Sequence, residues 1–111
     1  MGTGQAVGAV FLALADTTRR EVIARLSSAG PATATELAAD LPITRQAVTK
    51  HLNALAGARL VAARREGREM RYRLTPEPLT VAMVWMASVG AEWDARLGRL
   101  AALLDDDDSA Q

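Results

Sequence analysis

Five polar side chains between Ile43 and Leu55 pose the chemical question. Arg45, Gln46, Thr49, Lys50 and Asn53 lie opposite an apolar stripe of Val48, Leu52 and Leu55 in the segment "ITRQAVTKHLNAL". The apolar residues are four and three apart, the spacing of one face of a helix. An ordinary solvated helix face mixes Glu with Lys, because opposite charges one turn apart support each other. This face has no carboxylate. A guanidinium, an ammonium, amides and a hydroxyl together suit a partner that is acidic and rich in hydrogen-bond acceptors.

The charge pattern points the same way. The 111 residues carry no net charge, but the sign is divided along the chain. Residues 1–43 sum to −1, residues 44–75 to +6 with eight basic residues against two acidic ones, and residues 76–111 to −5. A basic middle third in a neutral chain is the electrostatic footprint of phosphate binding. Other chemistry is poorly served. There is no cysteine and one histidine, His51, so no thiolate metal site, disulfide or thiol nucleophile is available. No nucleophile–base pair, paired carboxylates or phosphate-cradling glycine loop appears, and no enzyme is expected. No apolar run reaches ~18 residues and no signal segment is seen. "MGTGQA" has the glycine of a myristoylation signal but Ala6 where Ser or Thr is needed. A soluble cytoplasmic protein without a membrane role is expected.

The elements that position these side chains can be followed from their caps. "AVGAVFLALA" forms a first apolar helix ending near Asp16, and Asp16 caps "TTRREVIARLSSAG", which Gly30-Pro31 ends. Thr33-x-x-Glu36 is a capping box, so a short helix starts there. After Pro42, Thr44 caps the acid-poor helix, with Ile43 and Val48 as a hydrophobic staple. Helix, tight turn and helix follow in order. The next segment, "LVAARREGREMRYRLT", changes to a period of two, with Met70, Tyr72 and Leu74 on one side and Arg71 and Arg73 on the other. Its turn is Glu66-Gly67-Arg68-Glu69. Two strands alone are marginal, so this basic hairpin must lean on the helices. A helix-turn-helix followed by such a hairpin is a winged helix.

From Thr75-Pro76, a cap and a first-turn proline, a helix can run to Leu104, roughly 43 Å at about 1.5 Å per residue. Leu79, Met83, Met86, Gly90, Trp93, Leu97, Leu100 and Leu104 alternate four and three apart, the spacing of a helix–helix seam. Val81, Val84, Trp85 and Val89 widen the apolar face. A domain this small cannot cover that surface, and a second copy is the expected cover, with the first helix joining the interface. Trp85, Trp93 and the methionines could also line a pocket for an apolar effector, although core or interface is the simpler role at helical spacing.

"ALADTTRREVIARL", "TELAADLPITRQAVTKHLNAL" and "ARLVAARREGREMRYRL" resemble the ArsR family of bacterial winged-helix transcriptional regulators. The likeness runs from about Phe11 to Leu74. It is carried by Val48-Thr49-Lys50-His51-Leu52 to Leu55, matching V-S/T-x-H-L-x-x-L, together with D-x-T-R-R at Asp16 to Arg20. The C-terminal "WDARLGRLAALL" is similar to that of a subgroup without metal sites. The resemblance implies a symmetric homodimer that inserts paired recognition helices into successive major grooves of an operator, usually a palindrome, and usually represses. Metal-sensing members carry E-L-C-x-C-D-L where this chain has "ELAADL", with Ala38 and Asp40 at the cysteine positions. No converging ligand set replaces it, so neither metal nor cofactor is expected. Arg59 stands where the family commonly has glycine.

On this basis the expected fold is mainly α with a small β-hairpin, a winged helix-turn-helix dimerising through its first and last helices. Residues 1–104 form one domain, with a DNA-binding core at 16–74, dimerisation helices at 5–15 and 76–104, and an acidic disordered tail at 105–111. Arg45, Gln46 and Thr49 are assigned to base edges, with Arg suited to guanine and Gln to adenine. Thr44, Lys50, His51, Arg64, Arg65, Arg68 and Arg71 are assigned to the DNA backbone. Arg19 and Arg20 are divided between phosphate contact and internal ion pairs. Leu79, Met83, Met86, Trp93, Leu97, Leu100 and Leu104 are assigned to the dimer seam. The alternative is a winged-helix module that binds another protein without specific DNA binding.

Overall fold

A computed structural model describes the backbone of residues 3–109 and the side-chain environments of 4–106. Five helices and three short strands follow in order: α1 Thr3–Leu14, α2 Thr17–Ala29, β1 Ala32–Thr33, α3 Ala34–Asp40, α4 Arg45–Gly57, β2 Val61–Glu66, β3 Glu69–Leu74 and α5 Glu77–Ser109. The fold is mainly helical with one small antiparallel sheet, a winged helix-turn-helix. Among the described residues no helix is long and apolar enough to cross a membrane.

The caps fix the helix boundaries. Asp16 Oδ1 accepts the backbone N–H groups of Thr18 at 2.8 Å and Arg19 at 3.2 Å. Thr33 and Glu36 form a complete capping box: Thr33 Oγ1 accepts the Glu36 N–H at 3.1 Å, and Glu36 Oε1 accepts the Thr33 N–H at 3.0 Å. Thr44 Oγ1 accepts the Ala47 N–H at 3.1 Å, starting α4. Helix α4 ends in a Schellman motif, with Leu60 N–H bonded to the Leu55 carbonyl at 2.9 Å and Arg59 N–H to that of Ala56 at 3.0 Å. That motif places Arg59 at φ 60, a left-handed backbone normally given to glycine. Leu60 and Leu55 are both fully buried, so the apolar contact that accompanies the motif holds the turn despite the arginine.

The core is one cluster. Val22 and Leu26 of α2, Leu37 of α3, and Val48, Leu52 and Leu55 of α4 meet Leu60 and Val61, and Val10, Ala13 and Ala82 close one side. Each buried aliphatic side chain contributes about 1.5–3 kcal/mol. Ile43 packs against the same cluster, consistent with its staple position.

Four features differ from the sequence expectation. The sheet has three strands in the order β1-β3-β2, not two, because Ala32 and Thr33 pair with Tyr72 and Arg71. Helix α5 begins at Glu77, and the Thr75 hydroxyl donates to the Arg59 carbonyl instead of capping it. Leu79, expected on the dimer seam, is half-buried and packs against the domain core. Helix α5 also continues through Asp105–Asp108 to Ser109, where a disordered tail was expected; residues 110 and 111 lie outside the described residues.

From residue 83 to residue 106 almost every α5 residue is exposed. The molecule accordingly measures 76 × 32 × 19 Å, with a radius of gyration of 20.4 Å. A compact chain of this length has roughly 13 Å. Trp93, Leu97, Leu100 and Leu104 are each more than half exposed. Phe11 of α1 meets Trp85 edge to face at 5.7 Å, so α1 and the first half of α5 present one continuous apolar surface.

Two caps make stability acid-sensitive. The Asp16 carboxyl is held below its ordinary pKa by the Arg19 and Thr18 N–H groups, and Glu36 by the Thr33 N–H and hydroxyl and then Arg71. A carboxyl depressed on folding stabilises above its unfolded pKa, and that contribution is lost as pH falls through the folded one. Asn caps as well as Asp but does not titrate. Asp16→Asn is therefore expected to keep neutral-pH stability while flattening the acid limb of melting temperature against pH. Identical acid limbs would contradict this origin.

Candidate nucleic-acid interface

The antiparallel register sorts the wing arginines onto two faces. Successive side chains of a strand point to opposite sides of a sheet. Arg65 pairs with Met70 and Ala63 with Tyr72 on one side; Arg64 pairs with Arg71, Ala62 with Arg73 and Glu66 with Glu69 on the other. The first side faces the helix-turn-helix. It lines an open groove of about 280 Å³ that joins Arg45 and Thr49 of α4, Thr33 and Thr35 at the start of α3, and Arg65, Arg68, Met70 and Tyr72 of the wing, with Glu69 as its one carboxylate. Recognition helix and wing thus share one concave, basic surface.

The cations of this groove are unspent. Arg45, Arg65 and Arg68 are exposed, as is Lys50 of α4 outside the groove's lining, and among the described residues none pairs with a carboxylate. Gln46 is exposed on the same helix. Thr49 differs: its hydroxyl donates to the Arg45 carbonyl one turn back at 3.0 Å. Its proton is therefore used within the helix, and what remains to present outward is the methyl group and an oxygen lone pair. Thr44 is occupied as a helix cap on its Oγ1 but stays exposed.

Other assigned residues sit elsewhere. Arg64 lies on the back face with Pro31, Glu66, Arg71 and Arg73 around a second, smaller hollow. Arg71 is engaged with three carboxylates, at 3.0 Å to Glu66, 3.1 Å to Glu36 and 3.6 Å to Glu69, so it is not an available phosphate ligand. The bond from Glu66 leads in raising its pKa further. His51 is half-buried with Nδ1 enclosed, near enough to Asp16 to help lower that carboxyl's pKa. Arg20 donates to the Leu14 carbonyl and, at 3.2 Å, to the Thr17 hydroxyl, closing the end of α1, and among the described residues it pairs with no carboxylate. Arg19 has its Nε enclosed beside the Asp16 cap.

Met70 and Tyr72 in the groove, and the Arg71 cluster, were not singled out from sequence. Strand alternation carries the signal for the first pair. Met70 was expected against the core but is 44% exposed, whereas Tyr72 and Leu74 do pack inward.

Comparison with known proteins gives a consistent result. Residues 14–64 match a helix-turn-helix domain family. The chain is similar to the HTH-type transcriptional regulator Rv2034 of Mycobacterium tuberculosis, 44% identical over 79 residues, covering 71% of this chain and 73% of the relative. It is 32% identical over 77 residues to the transcriptional repressor SdpR of Bacillus subtilis, covering 69% of this chain and 84% of that one. Among solved structures, an ArsR-like transcriptional regulator from Rhodococcus sp. RHA1 superposes with a TM-score of 0.80 at 41% identity, covering 90% of this chain and 93% of that chain.

Proposed function

Because the chain belongs to the ArsR-like helix-turn-helix transcriptional regulators, and so is a DNA-binding regulator and not an enzyme, we propose that it works as a homodimeric repressor reading an operator of two inverted half-sites. The observation that carries this is the groove in which Arg45 and Thr49 face Arg65 and Arg68. Residues 1–104 act as one domain, with 16–74 on DNA and α1 and α5 as the dimer contact. Arg45, Gln46 and Thr49 read base edges; Thr44, Lys50, Arg65 and Arg68 hold phosphate, with lesser phosphate contacts from His51 and, on the other face of the wing, Arg64. Phosphate contacts fix register, and base contacts give sequence preference. Duplex DNA places its action in the cytoplasm. A module that binds only another protein would have no use for three unpaired arginines in one groove.

Repression is supported by the likeness to a named repressor. The chain has no cysteine and one histidine, and among the described residues no group of three His, Cys, Asp or Glu side chains could hold a metal ion. DNA release is accordingly independent of zinc, cadmium and arsenite; a stoichiometric, chelator-reversible metal effect on affinity would contradict this. Should a small apolar effector act, the place for it is the hollow of about 420 Å³ bounded by Val81, Val84 and Trp85 on the α5 face.

Sequencing the genomic fragments retained by the purified protein tests the proposal. The expected set shares an inverted repeat whose half-sites are about 34–36 Å apart, one helical turn. Retained fragments with no common sequence would contradict it.

A further inference from the structure

The strand β1 reaches only as far as Thr33 opposite Arg71. Outward of that point the wing, residues 65–70, is a ribbon of two strands with no third strand beside it, a marginal arrangement in water. Arg71 stands at the base of this ribbon. Its Nη1 donates to Glu36 Oε1 at 3.1 Å, its Nε to Glu66 Oε2 at 3.0 Å, and its Nη2 lies 3.6 Å from Glu69 Oε2. The same Glu36 oxygen accepts the Thr33 N–H that starts α3. One carboxylate oxygen therefore joins the first helix of the helix-turn-helix to the wing through a single guanidinium.

We propose that Arg71 is a positioning residue for DNA binding: by bridging Glu36 to Glu66 and Glu69, it sets the angle at which the wing presents Arg65 and Arg68 beside α4. A planar guanidinium with donors fixed in a fork can hold three carboxylates at set directions; an ammonium of equal charge cannot. The bridge also sets a cation against Glu69, the one carboxylate that lines the groove proposed to meet phosphate. Its cost to stability when lost is small, since the groups are partly exposed, but phosphate contacts depend on hydrogen-bond distances. The inference rests on the reading of Arg65 and Arg68 as phosphate ligands.

The test compares Arg71→Lys, Glu36→Gln and Arg65→Ala for affinity to a mixed-sequence duplex over a range of salt. Arg71→Lys keeps the charge, and Glu36→Gln keeps the oxygen that caps α3. Arg71→Lys is expected to weaken binding roughly tenfold, about the worth of one hydrogen bond to a charged group. Arg65→Ala made on top of it should then cost much less than it does alone, because the two act through the same contact. Glu36→Gln should weaken binding too, although it deletes a negative charge from a DNA-binding protein. Wild-type affinity for Arg71→Lys with tighter binding by Glu36→Gln would show that only charge matters and overturn the proposal. A fall in melting temperature sufficient to unfold either variant under assay conditions would return Arg71 to a purely structural role. If Arg65→Ala alone leaves affinity and salt slope unchanged, it is the phosphate role of the wing that fails; if it costs affinity while Arg71→Lys does not, only the bridge fails.

Discussion

Replacing Leu97 and Leu100 together by aspartate is expected to turn a dimer into monomers and to lower operator affinity by roughly 10²- to 10⁴-fold, the gain that linking two binding units provides. Both leucines are more than half exposed on the projecting half of α5, where they touch no core residue of their own domain. Removing them therefore leaves the winged domain folded. In a symmetric seam each substitution is made twice, and four carboxylates would have to enter an apolar contact at several kcal/mol each. Sedimentation at micromolar concentration reads the assembly. A stable monomer for the unmodified protein, or an unaltered dimer for the double variant, would remove the seam from the account. Leu79→Asp should instead unfold the chain, because Leu79 packs against the domain core.

The second large effect separates base reading from phosphate holding. Arg45→Ala and Gln46→Ala should each cost roughly 1–3 kcal/mol at one base pair and relax the preference there, with little change on a scrambled duplex. Thr49 allows a finer statement. With its hydroxyl proton committed to the Arg45 carbonyl, its methyl is the outward group suited to a thymine methyl. Thr49→Val should be close to neutral, and Thr49→Ser should lose discrimination. Arg65→Ala and Arg68→Ala should weaken binding to every sequence alike and lower the salt slope by roughly one unit each. Fluorescence anisotropy titrations on both duplexes make the comparison. Equal losses on operator and scrambled DNA for the Arg45 and Gln46 variants would take base reading away from α4.

How much of this was legible in the sequence follows from the range of the interactions. Asp16, Thr33, Glu36 and Thr44 act on backbone groups two or three residues away, and each cap was readable as spacing alone. The helix-turn-helix follows from them, and the hairpin from the alternation on either side of Glu66–Glu69. Strand β1 was not readable, since two residues show no alternation and its partner lies in β3, far along the chain. The bond from Arg71 to Glu36 spans 35 residues and depends on that same pairing. Runs of arginine in the wing gave the charge, but only the register showed that Arg65 faces α4 while Arg64 faces away. Heptad spacing likewise marks an apolar seam without saying who fills it: Leu79 shares that spacing, yet part of its surface packs against its own core. Helix α5 runs into Asp105–Asp108 because adding a residue to a formed helix is easy compared with starting one, while unfavourable charge at its end costs only about 0.3–1 kcal/mol.

In the proposed function one groove, built by α4 and the wing and duplicated in a dimer, reads DNA sequence. Titrating the unmodified protein on its selected operator, and on the same operator with half a helical turn inserted between the half-sites, tests both the reading and the duplication. Tight, salt-dependent binding to the first, reduced to the level of scrambled duplex by the insertion, is the predicted result. Equal affinity for both duplexes would contradict it.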